Sequence, residues 1–94
     1  MKQIERKYYL AVFESRNHAI QLHQYLQRNR LLQFELVSTP CKIKAGCSYS
    51  IKFDNLNELE LLTAEAKSIK KSIAAVYVVE RSYGKRIIKK LEVI

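Results

Sequence analysis

Six consecutive residues, Tyr8-Tyr9-Leu10-Ala11-Val12-Phe13, carry no charge. A short aromatic and β-branched run of this kind suits a strand buried on both faces, the central position in a sheet. Such a strand obliges the rest of the chain to supply partners on both edges and a cover over at least one face.

Glu14-Ser15-Arg16-Asn17 gives a turn and a helix start, with Ser15 or Asn17 as N-cap. From His18 to about Arg30, Ala19, Leu22 and Leu26 fall at helical spacing and mark one apolar face. Leu32 to Ser38 returns to extended character. Cys47, Tyr49, Ile51 and Phe53 then alternate with Ser48, Ser50 and Lys52, which predicts a half-exposed strand. Asp54 or Asn55 is expected to cap a second helix, along which Leu59, Leu62, Ala66, Ile69 and Ile73 repeat. Residues 75–80 read as a fourth strand, Ser82-Tyr83-Gly84-Lys85 as a turn, and Ile87 to Ile94 as a fifth strand folding back.

The order β-α-β-β-α-β with one further strand predicts a ferredoxin-like α+β sandwich. One domain is expected over residues 1–94, with a core at about 8–80 and a C-terminal hairpin extension at 81–94. The charges of that last strand resemble the protection given to an exposed edge; the same strand equally suits pairing with a second copy, giving a homodimer.

Composition narrows the function classes. With 94 residues, 48% hydrophobic content and few glycines and prolines, the chain is a compact fold rather than a disordered one. No apolar run approaches the roughly 20 residues that span a bilayer, and the charged start is unlike a signal peptide, so no membrane association and a cytoplasmic location are expected. Seventeen Lys/Arg against nine Asp/Glu give a formal charge of +8, concentrated in Arg28 and Arg30, in Lys42 to Lys52 and in Arg81 to Lys90. That balance suits an acidic protein, a nucleic acid or an anionic small molecule, or simply a solvated surface.

Both cysteines lie in one loop, Thr39-Pro40-Cys41-Lys42-Ile43-Lys44-Ala45-Gly46-Cys47. A C-x5-C spacing with no second Cys or His pair argues against zinc, and no metal or cofactor is expected. In the predicted topology this loop shares one end of the sheet with Ser15 to His18 and with Lys70 and Lys71. The free N–H groups of the first helix and the charges of Lys42 and Lys44 would there favour a thiolate. Gly46 permits a positive φ or a close approach beside Cys47. Cys47 reads either as a reactive thiol, with Cys41 as resolving thiol, or as a small apolar residue on an inward strand face. His18 reads either as a group that orients the thiol or as a surface or capping residue. No Ser/His/Asp order, phosphate loop or paired carboxylate points to an enzyme.

Residues 9–15, His18-Ala19, Leu36 to Pro40 and the Gly46-Cys47 step resemble the selenium/sulfur carrier protein-like family of small bacterial proteins. The resemblance spans about Tyr8 to Tyr77 and implies that Cys47 is an acceptor of sulfur or selenium from a donor protein. Ser48 stands where family members often have glycine, and Cys41 and the C-terminal extension are additions to the family pattern. Two other functions remain open beside this one. The first is a basic nucleic-acid-binding module using Arg28, Arg30 and the Arg81–Lys90 hairpin; the second is a homo-oligomeric structural or regulatory domain with buried cysteines.

Overall fold

The computed structural model describes residues 6–44, 46 and 48–91. It is an α+β arrangement of two helices on a five-stranded antiparallel sheet. In chain order the elements are β1 (Arg6–Val12), α1 (Arg16–Arg28), β2 (Glu35–Ser38), β3 (Tyr49–Phe53), α2 (Glu58–Ser68), β4 (Ala75–Ser82) and β5 (Lys85–Leu91). The sheet order is β2-β3-β1-β4-β5. The fifth strand, added outside β4, makes this order differ from that of a simple four-stranded sandwich.

The uncharged run does become the central strand. β1 pairs with β3 on one side and β4 on the other, and Tyr9, Leu10, Ala11 and Val12 are all buried. Its odd-numbered residues face the helices. Tyr9, Ala11 and Phe13 join Ile51, Phe53, Val76 and Val78 of the sheet, Ala19, Leu22 and Leu26 of α1, and Leu62 and Ala66 of α2 in one apolar cluster. Each helix therefore contributes the stripe that its spacing marks, and both stripes close over the same face.

The helix ends show what the periodicity alone misplaces. Ser15 is the N-cap of α1: its backbone is extended, and its Oγ accepts from the His18 N–H at 3.4 Å. For α2, neither Asp54 nor Asn55 caps the helix. Asn57 occupies the cap position without a side-chain hydrogen bond, and a turn closed by Glu58 N–H to the Asn55 carbonyl at 3.0 Å precedes it. Glu58 and Glu60 in the first turn supply the favourable charge instead.

The second helix also stops short of its apolar repeat. Lys70 turns left-handed at φ 60°, and the Lys71 N–H reaches back to the Ala66 carbonyl at 2.9 Å. Ile73 then packs on the core from the connecting segment. The first helix ends in the same way, with Arg30 at φ 60° and Leu31 N–H bonded to the Leu26 carbonyl. These are Schellman-type stops with a basic residue where glycine is usual.

The largest departure concerns β3, which is not half-exposed. Ser48 and Ser50 are buried and Lys52 is half-buried, although among the described residues this face carries no helix. Ser50 is tolerated there because its hydroxyl pairs with Thr39 at 2.6 Å inside the fold. The closing hairpin forms as expected, but β5 starts at Lys85, earlier than its alternation suggests. Tyr83 and Gly84 make the two-residue turn, both at positive φ, as a type I′ connection requires. The expected continuation from Glu92 to Ile94 lies outside the described residues.

Candidate functional site

The thiol loop is held at its base and at its middle. The Thr39 N–H donates to the Ser48 carbonyl at 2.9 Å, which closes the β2–β3 connection. Beyond Thr39 the chain turns at once: the Pro40 carbonyl accepts from both Ile43 N–H (2.9 Å) and Lys44 N–H (3.1 Å). Cys41 and Lys42 sit on the outside of this turn, both exposed, and Cys41 is a free thiol.

Lys44 anchors the loop to the neighbouring connection. Its Nζ donates to the Glu14 carbonyl at 3.1 Å. Glu14 directly precedes the Ser15 cap, so the loop and the start of α1 meet at one end of the sheet. His18 enters this arrangement through its backbone, whose N–H is bonded to Ser15, and its side chain is half-buried. The first turn of α1 contains no acidic residue, which leaves its positive end uncompensated from within the helix.

Gly46 adopts φ 92°, a left-handed conformation. A Cβ built there would meet nothing within 4 Å. The positive φ is the role for this glycine that the structure displays. Cys47 follows it and lies outside the described residues. Ser48, next in the chain, has a buried hydroxyl with no hydrogen-bond partner among the described residues.

Lys71, just beyond the C-terminus of α2, reaches the same end of the sheet but on the other flank of β1. Lys71 lines a cavity of about 360 Å³ with Lys67, Ala74, Val76, Lys90 and Leu91. The segment is tied to β1 by the Ala74 N–H to the Val12 carbonyl at 2.8 Å. Because the loop belongs to the β2–β3 side, β1 separates it from this cavity.

Reading the sequence brought Ser15, His18, Lys42, Lys44, Gly46 and Cys41 to one end by topology. It did not single out Glu14, Thr39 or Ser50, whose parts are a carbonyl and a buried hydroxyl pair. The only signal for the pair was two hydroxyl residues flanking a loop at register-compatible positions. Among the described residues no cluster of His, Cys, Asp and Glu has the form of a metal site, and no helix is long and apolar enough to cross a membrane.

No curated protein and no solved structure matches the chain. The profile of the family described as "Putative Se/S carrier protein-like" matches residues 8–78, from the middle of β1 to the middle of β4. Since that match covers well over half of the sequence, the protein belongs to this family.

Proposed function

We propose that the protein is a non-enzymatic carrier of sulfur or selenium, with Cys47 as the acceptor thiol. The observation that carries this reading is family membership over residues 8–78, which include the whole thiol loop. The left-handed Gly46 beside Cys47 and the anchoring of the loop by Lys44 support it.

The chemistry balances without a cofactor. The Cys47 thiolate attacks the outer sulfur of a donor persulfide; the donor S–S bond breaks, and the donor leaves as thiolate. Cys47 then holds the transferred sulfur as a persulfide. An acceptor thiolate takes the outer sulfur in the same way and regenerates the Cys47 thiolate. Alternatively, the Cys41 thiolate attacks Cys47 Sγ, forming a Cys41–Cys47 disulfide and releasing hydrosulfide. Lys42 and Lys44 bring positive charge to the loop, and the net charge of +8 suits an acidic donor in the cytoplasm. The fold belongs with this reading as a single ferredoxin-like domain, in which β1 to β4 take the order β2-β3-β1-β4 and β5 extends the edge.

Intact-mass analysis after exposure to a persulfide donor tests the proposal. The wild-type chain is expected to gain one sulfur atom, Cys47→Ser none, and Cys41→Ser one that persists longer. Alkylation of the folded protein is the companion measurement, with Cys47 expected to label below the free-thiol pKa of about 8.5. Labelling of Cys47 only after denaturation would sink the carrier role.

A further inference from the structure

Three arginines stand in one row on the sheet face away from the helices. Arg6 of β1 is opposite Arg81 of β4, and Arg81 is opposite Arg86 of β5. Neighbouring strands lie about 4.8 Å apart, so three permanent cations are set across about 10 Å of sheet. Like charges placed directly opposite each other destabilise a sheet. Among the described residues none of the three makes an ion pair.

Lys52 brings a fourth cation to the same place. Its Nζ lies 4.8 Å from the centre of the Tyr8 ring, and the Arg6 guanidinium carbon lies 5.6 Å from it. Tyr8 therefore serves to hold cations and is not a free platform for a nucleobase. Among the described residues the one carboxylate in contact is Glu35, 3.5 Å from Lys52 and largely exposed. Arg6, Lys52, Arg81 and Arg86 enclose, with Tyr8 and Val79, a cavity of about 140 Å³. Pockets that enclose a whole drug-sized ligand measure about 300–1,000 Å³, so this one fits a charged group whose remainder stays in solvent.

We propose that Arg6, Lys52, Arg81 and Arg86 form a binding site for the phosphate group of a small phosphomonoester. Guanidinium forks match phosphate oxygens two at a time, and a dianion relieves the repulsion along the row. The arginines of the site lie toward the opposite end of β1 from the thiol loop, and the seven residues of β1 span about 20 Å at about 3.3 Å per residue. The site does not rest on the carrier reading, and Arg81 and Arg86 lie beyond the family match.

Titration of the full chain with phenyl phosphate at low salt, followed by amide chemical shifts, tests the site. Saturable shifts centred on Arg6, Lys52, Arg81 and Arg86 are expected. Arg81→Gln is expected to weaken binding about tenfold or more. Lys89→Gln removes the same charge from β5, but Lys89 pairs with Val78 on the helix-bearing face, so its affinity stays near wild type. Phenyl phosphate should also raise the melting temperature of the wild type and not of Arg81→Gln, which loses repulsion and keeps its fold. Equal weakening by the two substitutions would reduce the site to diffuse charge and overturn it. So would absence of saturable shifts, or tighter binding of a short single-stranded oligonucleotide than of phenyl phosphate.

Discussion

Phe53 and Leu10 sit on neighbouring strands and point to opposite faces of the sheet, yet each is only 1% exposed. Phe53 is covered by helices. Its ring stacks on Tyr9 at 5.5 Å, meets the edge of Phe34 at 6.2 Å, and shares a cluster with Leu22, Leu26 and Leu62. Among the described residues Leu10 has no helix above it; its cross-strand neighbours are Lys52 and Tyr77, whose long side chains lie on the same face. One face is dry because a second layer was built for it; on the other, long amphipathic side chains are the neighbours that register places beside Leu10. The first kind of cover is rigid and apolar. The second leaves cationic heads at the surface, where they gather into the arginine row.

This contrast predicts unequal costs for equal burial. Phe53→Ala is expected to lose about 3–5 kcal/mol, since helices and strands cannot close the void. Leu10→Ala is expected to lose nearer 2 kcal/mol, the low end for such changes, because flexible neighbours can collapse into the space. Urea denaturation of both variants measures the difference. Equal losses would mean that the open face is packed as tightly as the covered one.

A smaller effect is expected at the Thr39–Ser50 hydroxyl pair. Ser50→Ala leaves the buried Thr39 hydroxyl without its partner and should cost about 1–3 kcal/mol. Thr39→Val combined with Ser50→Ala removes both hydroxyls, so the double variant should be more stable than the sum of the two losses. A double-mutant cycle reads the coupling, and strict additivity would remove this pair from the account of why β3 is buried.

The smallest effects should be gains. Arg30 and Lys70 both hold left-handed backbone, so Arg30→Gly and Lys70→Gly should each add about 0.5–1 kcal/mol, seen as raised melting temperatures. A loss at either position would mean that the basic side chain contributes more than its backbone strain costs.

Much of the architecture was legible because it rests on local periodicity. Ala19, Leu22 and Leu26 marked the buried stripe of α1, and all three are fully buried. The run at Tyr8 to Phe13 marked the centre of the sheet. The apolar repeat of the second helix runs on through Ile69 and Ile73, while the Lys70 stop comes from a backbone conformation that a lysine does not announce. At the thiol loop, the meeting of the 39–48 connection with the start of α1 followed from strand direction. Its fastening did not, since Lys44 bonds a backbone carbonyl that any residue at position 14 would offer.

The sequence by itself determined which residues form strands and helices and which face of each helix is apolar, because those properties repeat along the chain at fixed spacing. Only the tertiary structure decided what stands beside what across the sheet. Arg6 and Arg81 are far apart in the chain, and a one-residue slip in register would send either to the other face. The same holds for Thr39 and Ser50, whose bond satisfies two hydroxyls on a strand face that the alternation marks as exposed. Pairing across strands is fixed by the packing of the whole core, and so the chemistry it brings together appears only when the chain is folded.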